Sequence, residues 1–388
     1  MSFEVIPEWV HVQYQETSQF TEVYGFAGSQ GMVNCEGLRY VPKGAPAKTL
    51  AIFMHPATTL QLLPMPRALA AAGVHVLCAA SRFARNDAPL IMEKVALDLG
   101  AYVRHAKEKW GYEKVLLAGW SGGGSLSLFY QAQAQKPTVT HTPAGDVVNL
   151  KEAKLASADA MVFQAAHLSR ARMMAEWIDP SVIDELDPDK RSLELDIYNP
   201  KCPNQPPYPP DFVRTFRAAQ LARMRRRTAW VRESLDKLKK ANTDELERGF
   251  VTFRTLADLR FMDPAIDPND RKPRWCYLGK PETANTGPVG LGRFSTLRAW
   301  LSQWSEESNA DGPRSAASIT VPFLALENSA DDAVPQPHTR IIHDAAASRD
   351  KTMKVIKGAT HYYQGQPEQL QQAVEVWVGW MRKQNLID

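Results

Sequence analysis

The sequence predicts an α/β protein: a mostly parallel central sheet flanked by helices, carrying one long and mainly helical insertion. Three observations support this. Apolar runs of strand length, at 50–54, 74–78, 115–118 and 160–165, contain almost no polar residue, as expected of strands buried on both faces. Helix-like stretches separate them, and strand-helix-strand order implies crossover connections and parallel pairing. Between roughly 168 and 316 the alternation stops, giving way to helical segments broken by prolines, densest at 199–210.

Taken in order, residues 10–41 alternate in the manner of half-exposed strands. Val10, Val12 and Tyr14 share one face, and Leu38, Tyr40 and Val41 follow, so antiparallel edge strands are expected. A helix at 64–72 ends at Gly73. The stripe Ile91, Val95, Leu99, Tyr102, Ala106 marks a second helix, stopped by Gly111. Within the insertion, Asp211 reads as the cap of a helix over 211–240, with further helices over 243–260 and near 294–304. The sheet resumes at 320–326 and 353–356, separated by a helix at 336–347. The chain closes on a helix with the stripe Leu370, Val374, Trp377, Met381.

Bulk properties are those of an ordinary globular protein: 388 residues, 44% hydrophobic, 23% charged, net charge +3. No apolar run reaches membrane-spanning length, so no membrane insertion is expected. The cysteines at 35, 78, 202 and 276 have no metal-site spacing, and no metal is expected. The first residues, Met1-Ser2-Phe3-Glu4-Val5, lack a basic region followed by an apolar stretch, which makes a reducing cytoplasm the expected compartment. The basic run Arg223-Met224-Arg225-Arg226-Arg227 reads as a solvated helix face, with no nucleic-acid partner expected. A homo-oligomer is compatible with the sequence.

The chemistry centres on Gly119-Trp120-Ser121-Gly122-Gly123. An apolar strand precedes it and a helix-competent stretch follows, the form of a turn that presents a serine hydroxyl at the carboxyl end of a sheet. Side chains at Gly119 and Gly123 would collide in so tight a strand-to-helix turn. A serine needs an adjacent base, usually a histidine oriented by a carboxylate. Asp331 and His361 each follow a later strand, in the chain order Ser, Asp, His.

These residues, with Ser329-Ala330-Asp331-Asp332-Ala333-Val334-Pro335 and Gly358-Ala359-Thr360-His361, make the chain resemble the α/β-hydrolase fold serine hydrolases. The resemblance implies a core over 1–168 and 317–388 and a helical cap over 169–316. It implies Asp331 rather than Asp332 as the acid, because the family's acid precedes Val-Pro by three residues. It implies an oxyanion hole from the N–H groups of Gly122 and Ala57, although His55-Pro56 stands where many relatives have His-Gly. A small or medium apolar substrate and no cofactor are expected, with cleavage of a carboxylic ester, lactone or related acyl bond. Carbon-carbon cleavage of diketone-like ring-fission products and acyl transfer would use the same residues. A non-catalytic small-molecule-binding module is the reading from another class. Among the remaining histidines, His55 and His75 read as structural, His167 as a packing or surface residue, and His338 and His343 as solvated on their helix.

Overall fold

The computed structural model describes residues 2–16, 31–46, 48–241, 243–267, 269–334 and 336–388. Pro335, part of the acid-bearing motif, lies outside them. In chain order the first half comprises β1 (Val5–Gln15), β2 (Met32–Pro42), β3 (Thr49–His55), α1 (Pro64–Ala71), β4 (His75–Ala80), α2 (Met92–Glu108), β5 (Lys114–Ser121), α3 (Gly122–Gln135) and β6 (Ala160–Ala166). There follow α4 (Arg170–Trp177), α5 (Pro210–Ala241), β7 (Gly249–Val251), α6 (Leu259–Met262), α7 (Pro281–Ala284), β8 (Phe294–Thr296), α8 (Leu297–Gln303) and α9 (Gly312–Ala316). The sheet is completed by β9 (Phe323–Asn328) and, after α10 (His338–Ala345), β10 (Lys351–Ile356); α11 (Pro367–Lys383) closes the chain.

Eight strands form one sheet in the order β1-β2-β4-β3-β5-β6-β9-β10. The β1–β2 and β2–β4 pairs are antiparallel, and every pair from β4 to β10 is parallel. The period-two side-chain alternation of a strand sorts β3 between two cores. Leu50, Ile52 and Met54 join the α2 stripe of Val95, Leu99, Tyr102 and Ala106, with Leu126 and Phe129 of α3. Ala51 and Phe53 face the other way, among Leu69 of α1 and Trp377 and Met381 of α11. Each fully buried Leu, Ile or Phe contributes about 1.5–3 kcal/mol, so both helical layers are held by their apolar stripes.

The segment between β6 and β9 packs clusters of its own. Met224, Val231 and Leu235 of α5 meet Leu297, Trp300 and Trp304, while Phe212 and Phe216 meet Ile197 and Tyr208. The long helix lies where the sequence predicts it, but starts at Pro210, with Asp211 inside the first turn rather than at the cap. The helix expected over 243–260 is absent. In its place β7 pairs with β8 in an antiparallel ribbon, and only α6 is helical. The carbonyls a helix would use are engaged elsewhere: Arg227 donates to Val251 O, and Arg223 to Phe253 O at 2.9 Å.

The same bonds correct the reading of the basic run as a solvated face. Arg223 and Arg227 are buried; Arg223 also donates to Asp179 O at 2.7 Å and pairs with Glu185. Irregular chain leaves carbonyls without partners, and guanidinium groups on the helix beneath it satisfy them. His338 is a second correction. It is buried rather than solvated, with Nε2 3.3 Å from Glu176 Oε2, while His343 is part-buried beside Asp344.

Candidate active site

β5 occupies the middle of the sheet, and Ser121 ends it. The backbone there turns into α3 with φ 51° and ψ −126° at the serine, a region that costs a non-glycine residue about 1–3 kcal/mol. Neighbouring glycines permit the turn. A Cβ on Gly123 would lie 2.2 Å from Met54 O, and one on Gly119 2.8 Å from Gly124 Cα. Ser121 stands at the N-cap position of α3, yet its side chain caps nothing. Ser121 is only part-buried, and its hydroxyl makes no hydrogen bond among the described residues.

The loops after β9 and β10 bring Asp331 and His361 together. His361 Nδ1 lies 3.0 Å from Asp331 Oδ1 and 3.1 Å from Oδ2, with both residues buried. Two backbone N–H groups, of Ala333 at 2.9 Å and Val334 at 2.7 Å, donate to Asp331 Oδ1 and fix the carboxylate. The neighbouring Asp332 has a different task. Its Oδ1 accepts the His361 backbone N–H at 3.2 Å, and burial, then the Asp331 charge, raise its carboxyl pKa.

A chain of hydrogen bonds braces the histidine loop from below. Trp377 Nε1 donates to Gln164 Oε1 at 2.7 Å, Gln164 Nε2 to Tyr363 Oη at 2.7 Å, and Tyr363 Oη to Asn328 Oδ1 at 2.8 Å. Asn328 Nδ2 then donates to Thr360 O, the carbonyl before His361, at 2.9 Å. Trp120 lies edge-on to His361, ring centroids 5.8 Å apart, so the residue before Ser121 packs on the histidine ring.

On the other side of the elbow, the loop after β3 is pinned by Ser81 Oγ donating to Pro56 O at 2.5 Å and Arg85 N–H to Ala57 O at 2.8 Å. Gly122 opens α3, so its N–H has no carbonyl partner within the helix. The Ala57 N–H donates to His55 Nδ1 at 3.1 Å. Burial, then the nearby Arg170 and His361, lower the His55 pKa to about 3, so the ring is neutral at any working pH. His167 is buried with Nδ1 unpartnered, and burial, then His338 and Arg170, hold its pKa well below the usual histidine range. His75, by contrast, is satisfied far from the elbow by Tyr112 Oη at 2.9 Å and Ala45 O at 3.3 Å.

No protein-family model and no curated protein matches the sequence. Solved structures do match its shape. That of DcsB in complex with its substrate analogue is 12% identical, with a TM-score of 0.50 over 97% of this chain and 99% of that chain. Est1E from Butyrivibrio proteoclasticus is 15% identical, with a TM-score of 0.45 over 91% and 95%. The esterase domain from a Rhodothermus marinus protein is 12% identical, with a TM-score of 0.46 over 97% and 98%. At such identities the likeness concerns the fold alone. The strand order, with a strained serine between the central parallel strand and its helix, decides which fold it is.

The fold is that of the α/β-hydrolases.

Several residues around the elbow of this α/β-hydrolase fold went unread in the sequence. Gln164, Asn328 and Tyr363 form the brace beneath His361. Gln164 is the polar residue interrupting an otherwise apolar strand, and that interruption was the available signal. Tyr277 reaches the site from the long insertion, its ring 6.3 Å from that of His361 and its N–H donating to Asp332 O at 2.9 Å. Arg170 is buried at the start of α4, paired with Asp87 at 2.6 Å and lying 4.1 Å over the Trp304 ring. No local pattern marks Arg170, whereas Tyr277 belongs to the insertion's aromatic set of Phe212, Phe216, Trp230, Trp275, Tyr277, Trp300 and Trp304, a few of which the sequence leads one to expect at an apolar pocket. No helix among the described residues is long and apolar enough to cross a membrane.

Proposed function

We propose that the protein is a serine hydrolase cleaving a carboxylic ester, lactone or related acyl bond of a small to medium apolar substrate. The observation that supports this most is the His361–Asp331 pair, with Nδ1 within 3.1 Å of both carboxylate oxygens and the imidazole packed on Trp120, the residue before a serine on a strained turn. Asp331 would keep the ring proton on Nδ1 and leave Nε2 free to take the Ser121 proton as Oγ attacks the carbonyl carbon. The Gly122 N–H would bind the oxygen that becomes negative. His361 would return the proton to the leaving alcohol, giving an acyl-Ser121. Water, activated by the same imidazole, would then release the acid and restore the serine. Every step uses side chains and backbone of this chain, so no cofactor is required.

In this reading residues 1–168 and 317–388 are the catalytic core and 169–316 a helical cap over it. Support comes from the separate apolar clusters of that segment and from Tyr277 packing beside His361. Core and cap also share a buried contact, where Ser302 Oγ and Asn309 Nδ2 each donate to the Glu93 carboxylate at 2.8 Å. The test is a screen of the purified chain against p-nitrophenyl acyl esters of graded length, lactones and thioesters, with Ser121→Ala as control. Turnover that disappears in Ser121→Ala is expected; turnover unchanged in that variant refutes the reading.

A further inference from the structure

The loop after β3 is short of backbone donors where a hydrolase of this fold needs one. Pro56 has no N–H. The Ala57 N–H, the donor expected from the sequence, is directed to His55 Nδ1 at 3.1 Å. That bond has a consequence for the ring. A nitrogen that accepts is unprotonated, so the single proton of the neutral imidazole resides on Nε2.

The position of Nε2 is fixed by its neighbour. A Cβ built on Gly122 would lie 2.5 Å from His55 Nε2, 3.1 Å from Cδ2 and 3.2 Å from Cε1, so the ring tip fills the space that a side chain at 122 would take. Bond lengths of about 1.5 Å place any Cβ within about 3 Å of its own nitrogen. Nε2 therefore lies within about 5.5 Å of Gly122 N. Two donors each about 2.9 Å from one oxygen are separated by at most about 6 Å, so the pair is close enough to share an oxyanion. His55 is half-buried, and Nε2 has no hydrogen-bond partner among the described residues.

We propose that His55 Nε2–H is the second oxyanion donor, acting with the Gly122 N–H, and that Ala57 serves by fixing the tautomer. This rests on the acyl-transfer reading above. It also accommodates the one oddity noted in the sequence, proline after His55, and uses the space that glycine leaves open at position 122. The pKa of about 3 suits the role, because the ring does not become a cation that would bind an anionic ground state as readily as the transition state.

The experiment uses the full chain with an ester from the screen and compares His55→Leu, His55→Gln and Gly122→Ala. Readouts are kcat, KM, inhibition by a trifluoromethyl ketone and the melting temperature. The ketone carbon is attacked by Ser121 Oγ, the serine proton passes to His361, and the resulting alkoxide occupies the oxyanion hole. His55→Leu is expected to lower kcat about 10²–10³-fold with KM within about threefold, and to weaken ketone inhibition by a similar factor. His55→Gln, whose side-chain amide can reach the same place, should recover at least about tenfold of the loss. Gly122→Ala should lose kcat while melting near the parent, because a movable ring tip rather than backbone meets the new methyl group. If His55→Leu does not fold, the Gln and Ala variants carry the test.

A His55→Leu kcat within threefold of the parent, a loss confined to KM, or unchanged ketone inhibition overturns the proposal. Ser121→Ala separates the two levels. If that variant stays active, the hydrolase reading falls. If it is inactive while the His55 variants are unimpaired, only the oxyanion assignment falls.

Discussion

Substituting Gly123 by alanine tests how tightly the serine turn is built. The added Cβ would lie 2.2 Å from Met54 O, 3.2 Å from Met54 C and 3.6 Å from His55 Cα. All three are backbone atoms of β3 or its end, so no side-chain rotation relieves the clash. A relaxed carbon-oxygen contact is about 3.3 Å, which means β3 and α3 must separate by about 1 Å. Overpacking of this kind costs about 1–3 kcal/mol, and with no soft neighbour the upper end is expected. At about 2.1 cal/mol/K per residue, unfolding this 388-residue chain has an entropy near 0.8 kcal/mol/K, so about 3 kcal/mol lowers Tm by about 4 °C. A 1 Å displacement of Ser121 should cost activity about 10²-fold. Gly379→Ala is the matched control. It lies in α11 with nothing within 4 Å of its added Cβ, and should stabilise by about 0.5–1 kcal/mol. Calorimetry and ester turnover on the three proteins decide. A Gly123→Ala protein that melts within 1 °C of the parent and keeps its turnover refutes the packing described for the elbow.

Other consequences are open to measurement. Ser121→Gly should be more stable in urea than Ser121→Ala by about 1 kcal/mol, because only glycine relaxes at φ 51°; equal stability would mean the turn stores no strain. Asp331→Asn should lower kcat about 10⁴-fold, since an amide no longer holds the histidine tautomer, whereas Asp332→Asn should cost less than tenfold. Stability should also depend on pH through His55. Its folded pKa of about 3 lies below the unfolded value of about 6.5, so its cost is absent above pH 6.5 and grows as pH falls toward 3. At pH 5 this amounts to about 2 kcal/mol, with His167 adding in the same direction. Urea melts at pH 7.5 and 5 should show that difference shrinking in His55→Leu. An unchanged pH difference would contradict the neutral ring at His55.

What was legible in the sequence follows from how local each determinant is. The buried strands were readable because a parallel strand covered on both faces contains almost nothing polar, as in Leu50, Ala51, Ile52, Phe53 and Met54. That Asp331 and His361 meet beyond the ends of β9 and β10, and that Ser121 sits on the turn after β5, was readable because each was placed at or shortly after a strand end. The insertion was readable only as helix against proline. The chain around 249–254 takes its shape from Arg223 and Arg227, which donate to its carbonyls from a helix far back in the sequence, and no local periodicity records that. His338 illustrates the same limit. A helix-face histidine looks solvated until Glu176, from α4, turns out to lie 3.3 Å from it. The His55 tautomer depends on a single backbone hydrogen bond two residues away, and the placing of its Nε2 on the absence of a side chain at Gly122. Sequence displays both residues but not their meeting.

The most direct measurement of the central claim is covalent labelling of the purified chain by a fluorophosphonate, with the modified residue located by peptide mass spectrometry. Stoichiometric labelling at Ser121, abolished in Ser121→Ala and slowed by orders of magnitude in His361→Ala, is the predicted result. Failure to label Ser121 in the parent chain, or labelling there at a rate unaffected by His361→Ala, would contradict it.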